Sequence, residues 1–138
     1  MNNIKQLKAN ELHLIESFIS ANLEDYKFFY TLGWNKIGIQ SHFKKNNNFS
    51  LGYFYKNNLC GLLIGEKIRD KNSFDLEIHI IFVSKCSRRK KIGSNILKFI
   101  ENNKEQIKVS KIYLEVSEYN FDAIKFYEKN NFVFLNFR

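Results

Sequence analysis

The feature that most constrains the fold is a change of hydrophobic period in the second half of the chain. Residues 74–83 read as one long strand, and residues 84–91 are polar and basic. Residues 92–103 then carry apolar side chains at the spacing of an amphipathic helix: Ile92, Ile96, Leu97, Phe99 and Ile100. A strand, a basic turn and a helix in direct succession predict a sheet with a helix packed on it.

The first half supplies two short helical regions. Leu12, Ile15, Phe18 and Ile19 have helical spacing within residues 9–21. The next region is divided by glycine, and we interpret it as a short helix, a turn near Gly33 and a second helix over about 36–44.

A hairpin follows, with strands over residues 50–56 and 59–68 joined at Asn57-Asn58. Asparagine tolerates the positive φ that a two-residue hairpin turn requires. After the helix that starts near residue 92, alternation predicts a strand over 111–117. Asn120 starts another helix, which Asn131 can end in the left-handed conformation, and residues 132–137 form a final strand. This order predicts an α+β (mixed α/β) domain.

Composition excludes several classes of protein. The 138 residues fit one domain, 1–138, and an apolar content of 44% excludes a disordered chain. No apolar run approaches the roughly 18 residues of a membrane span, and the N-terminus lacks the apolar region of a secretion signal. Cys60 and Cys86 have the spacing of neither a disulfide framework nor a zinc site. We therefore expect a cytoplasmic protein with free thiols, no metal and no membrane partner.

The net charge of +8 has two interpretations. It could attract nucleic acid, a ribosome or an anionic cofactor. It could also reflect codon bias, because the chain is rich in Asn, Lys, Ile, Phe and Tyr and has no Pro.

A local cluster is more informative than the total charge. Arg88-Arg89-Lys90-Lys91-Ile92-Gly93-Ser94 stands where a helix begins. A helix N-terminus offers unpaired N–H groups and a positive dipole end, and glycine allows a ligand to come close to the backbone. The cluster predicts a phosphate or pyrophosphate site; a solvated basic turn or a nucleic-acid patch are the alternatives.

This strand and turn resemble the acetyl-CoA signature of the GNAT N-acetyltransferases, Arg/Gln-x-x-Gly-x-Gly/Ala. Arg88 and Gly93 match its first and last positions, whereas Lys91 replaces the middle glycine. A second stretch resembles the C-terminal pattern of the same family. It consists of Leu114-Glu115-Val116, Asn120, Ala123-Ile124, Phe126-Tyr127-Glu128-Lys129 and Asn131-Phe132, with Asn131 where glycine is usual.

The C-terminal pattern is most similar to the ribosomal-protein-alanine N-acetyltransferase (RimI) group. Residues 34–43 resemble its acceptor-side helix, with Gly33 in place of the usual proline. Members of the group continue with a tyrosine-bearing loop and a last strand, whereas this sequence stops at Arg138. Either the sequence is truncated or half of the acceptor cleft is missing.

The resemblance implies the GNAT fold, with a central, mostly antiparallel twisted sheet flanked by helices, and acetyl-CoA as co-substrate. It implies that the backbone of residues 81–83 pairs with the pantetheine arm, that residues 88–94 hold the pyrophosphate, and that Asn120 contacts the arm. Asn120 also suits a helix N-cap. The implied cofactor-binding residues are Ile81, Phe82, Val83, Arg88, Arg89, Lys90, Lys91, Ile92, Gly93, Ser94 and Asn120.

The resemblance also implies a direct attack of an amine on the thioester. Glu115 would accept the amine proton, with Glu77 as the rival base, and Tyr127 would protonate the departing thiolate. A backbone N–H of Ile81 or Phe82 would stabilise the oxyanion.

Purely structural roles are the alternatives to these catalytic assignments. Glu115 could pair with a lysine at a strand end, and Tyr127 could pack in the core. His79, on the predicted face of residues 77, 79, 81 and 83, reads as structural. Trp34 belongs either to the core or to the acceptor wall.

Three functions follow from the sequence. The first is acetylation of the N-terminal α-amine of a protein, with a ribosomal protein as the candidate. The second is acetylation of a small amine such as an amino sugar or polyamine. The third is a basic nucleic-acid or ribosome-binding module without chemistry, against which the ordered pair of motifs argues.

Overall fold

The computed structural model describes residues 3–88 and 90–135. Five strands form one sheet in the order β1-β2-β3-β4-β5. Strands β1 to β4 are antiparallel, and β5 runs parallel to β4. The strands are β1 Ile4–Leu7, β2 Asn48–Tyr55, β3 Asn58–Asp70, β4 Ser73–Val83 and β5 Val109–Leu114. The predicted mixed, mostly antiparallel class is confirmed.

The described residues form six α-helices: α1 Leu12–Ala21, α2 Leu23–Thr31, α3 Lys36–Phe43, α4 Ile92–Asn102, α5 Lys104–Ile107 and α6 Phe121–Lys129. Gly33, at φ 103°, separates α2 from α3 as predicted. The sequence did not indicate β1 or α5, because each has only four residues, too few to show a period.

The sheet lies between two apolar cores. On one face α1, α2 and α3 pack over Leu62, Ile64, Ile80 and Phe82. On the other face α4 packs over Leu63, Leu76 and Ile78. Helix α6 packs against the same core through partly buried Phe126 and Tyr127. We call these the α1–α3 face and the α4–α6 face.

The hairpin turn is displaced by one residue from its predicted place. Tyr55 pairs with Asn58, and the two turn residues are Lys56 and Asn57, both at positive φ. The prediction of Asn57-Asn58 was therefore wrong, because the pairing register rather than residue preference decides which two residues turn.

A β-bulge in β4 changes which residues share a face. Ile64 pairs with Ile80 and Gly65 with Ile78, so His79 is the extra residue. Ile78 therefore faces α4, whereas Ile80 faces α1 to α3. The prediction that residues 77, 79, 81 and 83 share one face was wrong.

The C-terminal strands are shorter than predicted. β5 ends at Leu114, so Glu115, Val116 and Ser117 follow the strand instead of belonging to it. Asn131 has φ 70°, as predicted, but residues 132–135 form no strand. The rest of the predicted strand over 132–137 lies outside the described residues. None of the described helices is long and apolar enough to cross a bilayer.

Candidate active site

The parallel strands β4 and β5 separate after the pair Ile78–Leu114, and we call this point of separation the fork. β5 pairs with β4 from Phe74 to Ile78, and Ile78–Leu114 is the last pair. Beyond it, Ile80 to Val83 are paired only with β3 among the described residues. One edge of β4 therefore presents backbone N–H and C=O groups that an extended molecule could pair with.

Helix α4 begins beside the end of this open edge. Its N-cap is Lys91, whose side chain cannot accept a hydrogen bond, and none of the described side chains caps the helix. The first backbone bond of the helix runs from Asn95 N to Lys91 O, at 2.9 Å. The N–H groups of Ile92, Gly93 and Ser94 thus point out of the helix without an acceptor in the described part of the chain, in a turn that carries exposed Lys90 and Lys91.

Lys91 stands where the signature that this turn resembles has its middle glycine, and its conformation is one that favours glycine. Lys91 has φ 58° and ψ 26°, the left-handed region that L residues adopt at a cost. Lysine here keeps the backbone geometry and adds a cation.

Gly93 also has a packing role, which the sequence did not indicate. It lies in the first turn of α4 at ordinary helical φ, and a methyl group there would lie 3.0 Å from Phe126 Cζ and 3.9 Å from Ile81 Cγ2. The lack of a side chain lets α6 approach α4. The approach of a ligand to the Gly93 backbone stays a prediction.

Arg88 links the basic turn to the rest of the protein. Its Nε donates to the carbonyl of Val83 at 3.3 Å, and its Nη2 lies 3.9 Å from Asp25 Oδ2 on α2. The guanidinium thus lies at the end of β4 next to α2. Arg89 lies outside the described residues.

Tyr127 lies on α6 against the α4–α6 core. Its ring meets Phe126 at 5.1 Å and Phe132 at 5.4 Å between centroids. Burial raises the pKa of Tyr127 to about 12, so the phenol keeps its proton at neutral pH. The hydroxyl makes no hydrogen bond within residues 3–88 and 90–135. Asn120 is the predicted N-cap: its Oδ1 accepts from Ala123 N at 3.2 Å.

The two candidate bases occupy different places. Glu115 is exposed and follows the last residue of β5. Glu77 lies in β4 between Glu66 on β3 and Tyr113 on β5.

A polar cluster beside Glu77 was not predicted as a site. His79 Nε2 lies 3.0 Å from Glu66 Oε1, and the ring of Trp34 lies 5.2 Å from that of His79. The hairpin register could have placed Glu66 opposite Glu77, but the bulge that aims His79 at Glu66 has no signal in the sequence. Among the described residues, no three His, Cys, Asp or Glu side chains converge as metal ligands.

Residues 13–132 match the profile of the acetyltransferase (GNAT) family. No curated protein matches the chain.

Several solved structures share the fold. A possible acetyltransferase from Clostridium difficile 630 superposes with a TM-score of 0.77 at 18% identity, covering 98% of this chain and 92% of that one. The ribosomal-protein-alanine N-acetyltransferase of Brucella melitensis biovar Abortus 2308 gives 0.71 at 18% identity, with 91% and 87% covered. An aminoglycoside acetyltransferase from an uncultured soil metagenomic sample, in complex with sisomicin, gives 0.74 at 14% identity, with 98% and 93% covered. The predicted GNAT fold is thereby confirmed, and these similarities do not separate protein from aminoglycoside acceptors.

Proposed function

The chain belongs to the acetyltransferase (GNAT) family, and we propose that it transfers the acetyl group of acetyl-CoA to the N-terminal α-amine of a protein. A ribosomal protein is the first candidate acceptor. The observation that carries the proposal is the β4–β5 fork, with an uncapped, basic helix N-terminus beside its open edge. An extended arm fits the first element and a pyrophosphate fits the second.

The cofactor-binding residues follow from this fit. The open backbone of Ile81, Phe82 and Val83 pairs with the pantetheine arm. The N–H groups of Lys91, Ile92, Gly93 and Ser94 hold the pyrophosphate, with Lys90 adding charge beside them. The remaining members of the proposed set are Arg88, Arg89 and Asn120, of which Arg88 also anchors the turn to α2.

The chemistry requires a base and an acid. The family pattern assigns proton acceptance to Glu115, with Glu77 as rival, and donation to the thiolate to Tyr127. Burial raises the pKa of Tyr127 to about 12, so the phenol carries the proton to be donated throughout the neutral range and is a weaker acid than free tyrosine. The N–H of Ile81 or Phe82 stabilises the oxyanion.

One surface favours a peptide acceptor over a polycation. Phe28, Leu32 and Ile37 are each more than half exposed on the segment that spans α2 and α3. Helix α2 packs over the open half of β4, where Tyr26 and Phe82 meet at 5.2 Å. Apolar side chains of a peptide would bind such a surface, whereas an aminoglycoside or spermidine would need acidic groups.

The test combines binding and turnover. Calorimetry should show acetyl-CoA binding, and an Ala-Arg-Tyr peptide should release CoA faster than spermidine or sisomicin does. Turnover of only a small amine would keep the cofactor site and change the acceptor. Absence of acetyl-CoA binding, together with salt-dependent RNA binding, would contradict the proposal and favour the non-catalytic module.

A further inference from the structure

A carboxylate holds an imidazole at the fork. Glu66 Oε1 lies 3.0 Å from His79 Nε2. Glu66 itself is fixed by Lys45 at 3.1 Å and by Asn47 at 3.2 Å, and hydrogen bonds from Lys45 and His79 lower its pKa against the opposing effect of burial. A carboxylate oxygen can only accept, so Nε2 carries the hydrogen and Nδ1 keeps its lone pair in the neutral ring.

The bulge places this imidazole where the pairing between β4 and β5 ends. His79 directly follows Ile78, the last residue of β4 paired with β5, and precedes the open edge by one residue. Its ring contacts Trp34 and His42, so it projects from the α1–α3 face. Tyr127 packs on the α4–α6 face. The imidazole and the phenol thus lie on opposite sides of the sheet.

The ring of His79 is only partly covered. Trp34 covers the ring at 5.2 Å between centroids, and the side chain stays 22% exposed. Nδ1 makes no hydrogen bond to the described residues. His42, in contrast, is buried with Nε2 bonded to Gly65 O, so it cannot reach a substrate.

We propose that His79, oriented by Glu66, is the catalytic base that accepts the proton of the acceptor amine. The assignment rests on the proposed function and gives His79 the role that the family pattern assigns to Glu115. The amine nitrogen forms a bond to the thioester carbon, its proton moves to Nδ1, and the C–S bond breaks. The CoA thiolate takes a proton from Tyr127 on the other face.

The choice of base follows from matching basicities. An α-amine has an ordinary pKa near 8, and imidazole lies closer to this value than a carboxylate does, so imidazole removes the proton more readily near neutral pH. The ionisable groups that contact His79 are Glu66 from β3 and His42 from α3. Lys45, just after α3, binds the same Glu66 oxygen, and Glu77 in β4 pairs with Glu66 and with Tyr113 on β5.

The decisive variant is His79→Gln, whose amide can still donate to Glu66 while offering no base. CoA release with the Ala-Arg-Tyr peptide at saturating acetyl-CoA should fall roughly 100- to 10,000-fold at pH 7. The deficit should shrink toward pH 9, because the amine then loses its proton unaided. Glu66→Gln should give a smaller deficit, and His13→Gln, at an exposed position on α1, should match the wild type.

Two results would overturn the assignment while the proposed function stands. One is a His79→Gln rate within twofold of the wild type. The other is a pH profile parallel to the wild type, with Glu115→Gln showing the pH-dependent loss instead. If the wild-type protein does not bind acetyl-CoA, the proposed function itself is refuted.

A second measurement needs no turnover. In ¹⁵N-histidine spectra of the full chain at pH 8, His79 should carry its hydrogen on Nε2, and Glu66→Gln should weaken this preference. A hydrogen on Nδ1 at pH 8 would refute the proposal even if no acceptor is turned over.

Discussion

The ring of Phe126 on α6 lies against Gly93 in the first turn of α4. A methyl group on Gly93 would lie 3.0 Å from Phe126 Cζ and 3.3 Å from Cε1, closer than packed carbon atoms normally come. This contact joins the helix whose N-terminus borders the proposed pyrophosphate site to the helix that carries Tyr127. A side chain at Gly93 therefore affects both helices.

We expect Gly93→Ala to lower the free energy of unfolding. Overpacking costs about 1–3 kcal/mol, and the helix propensity of alanine returns about 1 kcal/mol. Phe126→Leu in the Gly93→Ala background should recover part of the loss, and urea unfolding of the four proteins in the cycle measures the coupling. Additive effects would mean that the two side chains do not compete for this space.

Lys91→Gly should stabilise the protein. A non-glycine residue in the left-handed region costs about 1–2 kcal/mol, part of which glycine loses again through its greater freedom in the unfolded chain. The net gain should be up to about 1 kcal/mol in urea unfolding. Acetyl-CoA affinity should fall only slightly, because the backbone N–H remains while one exposed cation is lost.

Lys108 provides the matched control for Lys91. It also has positive φ, at 60°, but it lies at the end of α5, away from the basic turn. Lys108→Gly should raise stability by a similar amount and leave acetyl-CoA affinity unchanged. A tenfold loss of affinity in Lys91→Gly alone would show that the ammonium, rather than the backbone, binds the pyrophosphate.

Tyr127→Phe should reduce kcat roughly 100- to 10,000-fold and leave acetyl-CoA affinity nearly unchanged. Because burial raises the pKa of Tyr127 to about 12, the wild-type phenol should stay protonated through pH 10 and cause no alkaline loss of rate below that value. Steady-state kinetics over pH 6–10 and calorimetry separate the two effects. A kcat equal to that of the wild type would exclude Tyr127 as the acid.

The elements whose hydrophobic pattern extends over many residues were predictable from the sequence. α4 and β4 begin and end within one residue of their predicted bounds. β1 was not predictable, because only Leu7 of its four residues is buried and its pairing with β2 depends on distant residues. The end of β5 was also missed: apolar Val116 continued the alternation, although pairing with β4 stops at Leu114.

Only those parts of the candidate site whose residues lie close together in the sequence were predictable. The basic turn and the N-cap Asn120 follow from residues a few positions apart. The pair of Glu66 and His79 depends on a bulge, which shifts the register without changing composition. For the same reason, alternation assigned Ile81 and His79 to one face, whereas Ile81 packs with α4 and His79 contacts Trp34.

Stability should fall with acid below about pH 6.5 because of His42. Its ring is buried against Trp34 and Phe43, and desolvation lowers the pKa of His42 despite the nearby Glu66 carboxylate. The unfolded chain therefore binds this proton first as the pH falls, and stability decreases by at most about 1.4 kcal/mol per pH unit for this group. His42→Phe should be less stable at pH 7, since it loses the bond to Gly65 O, but its stability should depend less on pH between 7 and 5. Urea unfolding at each pH measures these stabilities, with His13→Gln, at an exposed position, as the control. If the free energy of unfolding depends on pH equally steeply in His42→Phe and in the wild type, His42 does not cause the loss of stability in acid.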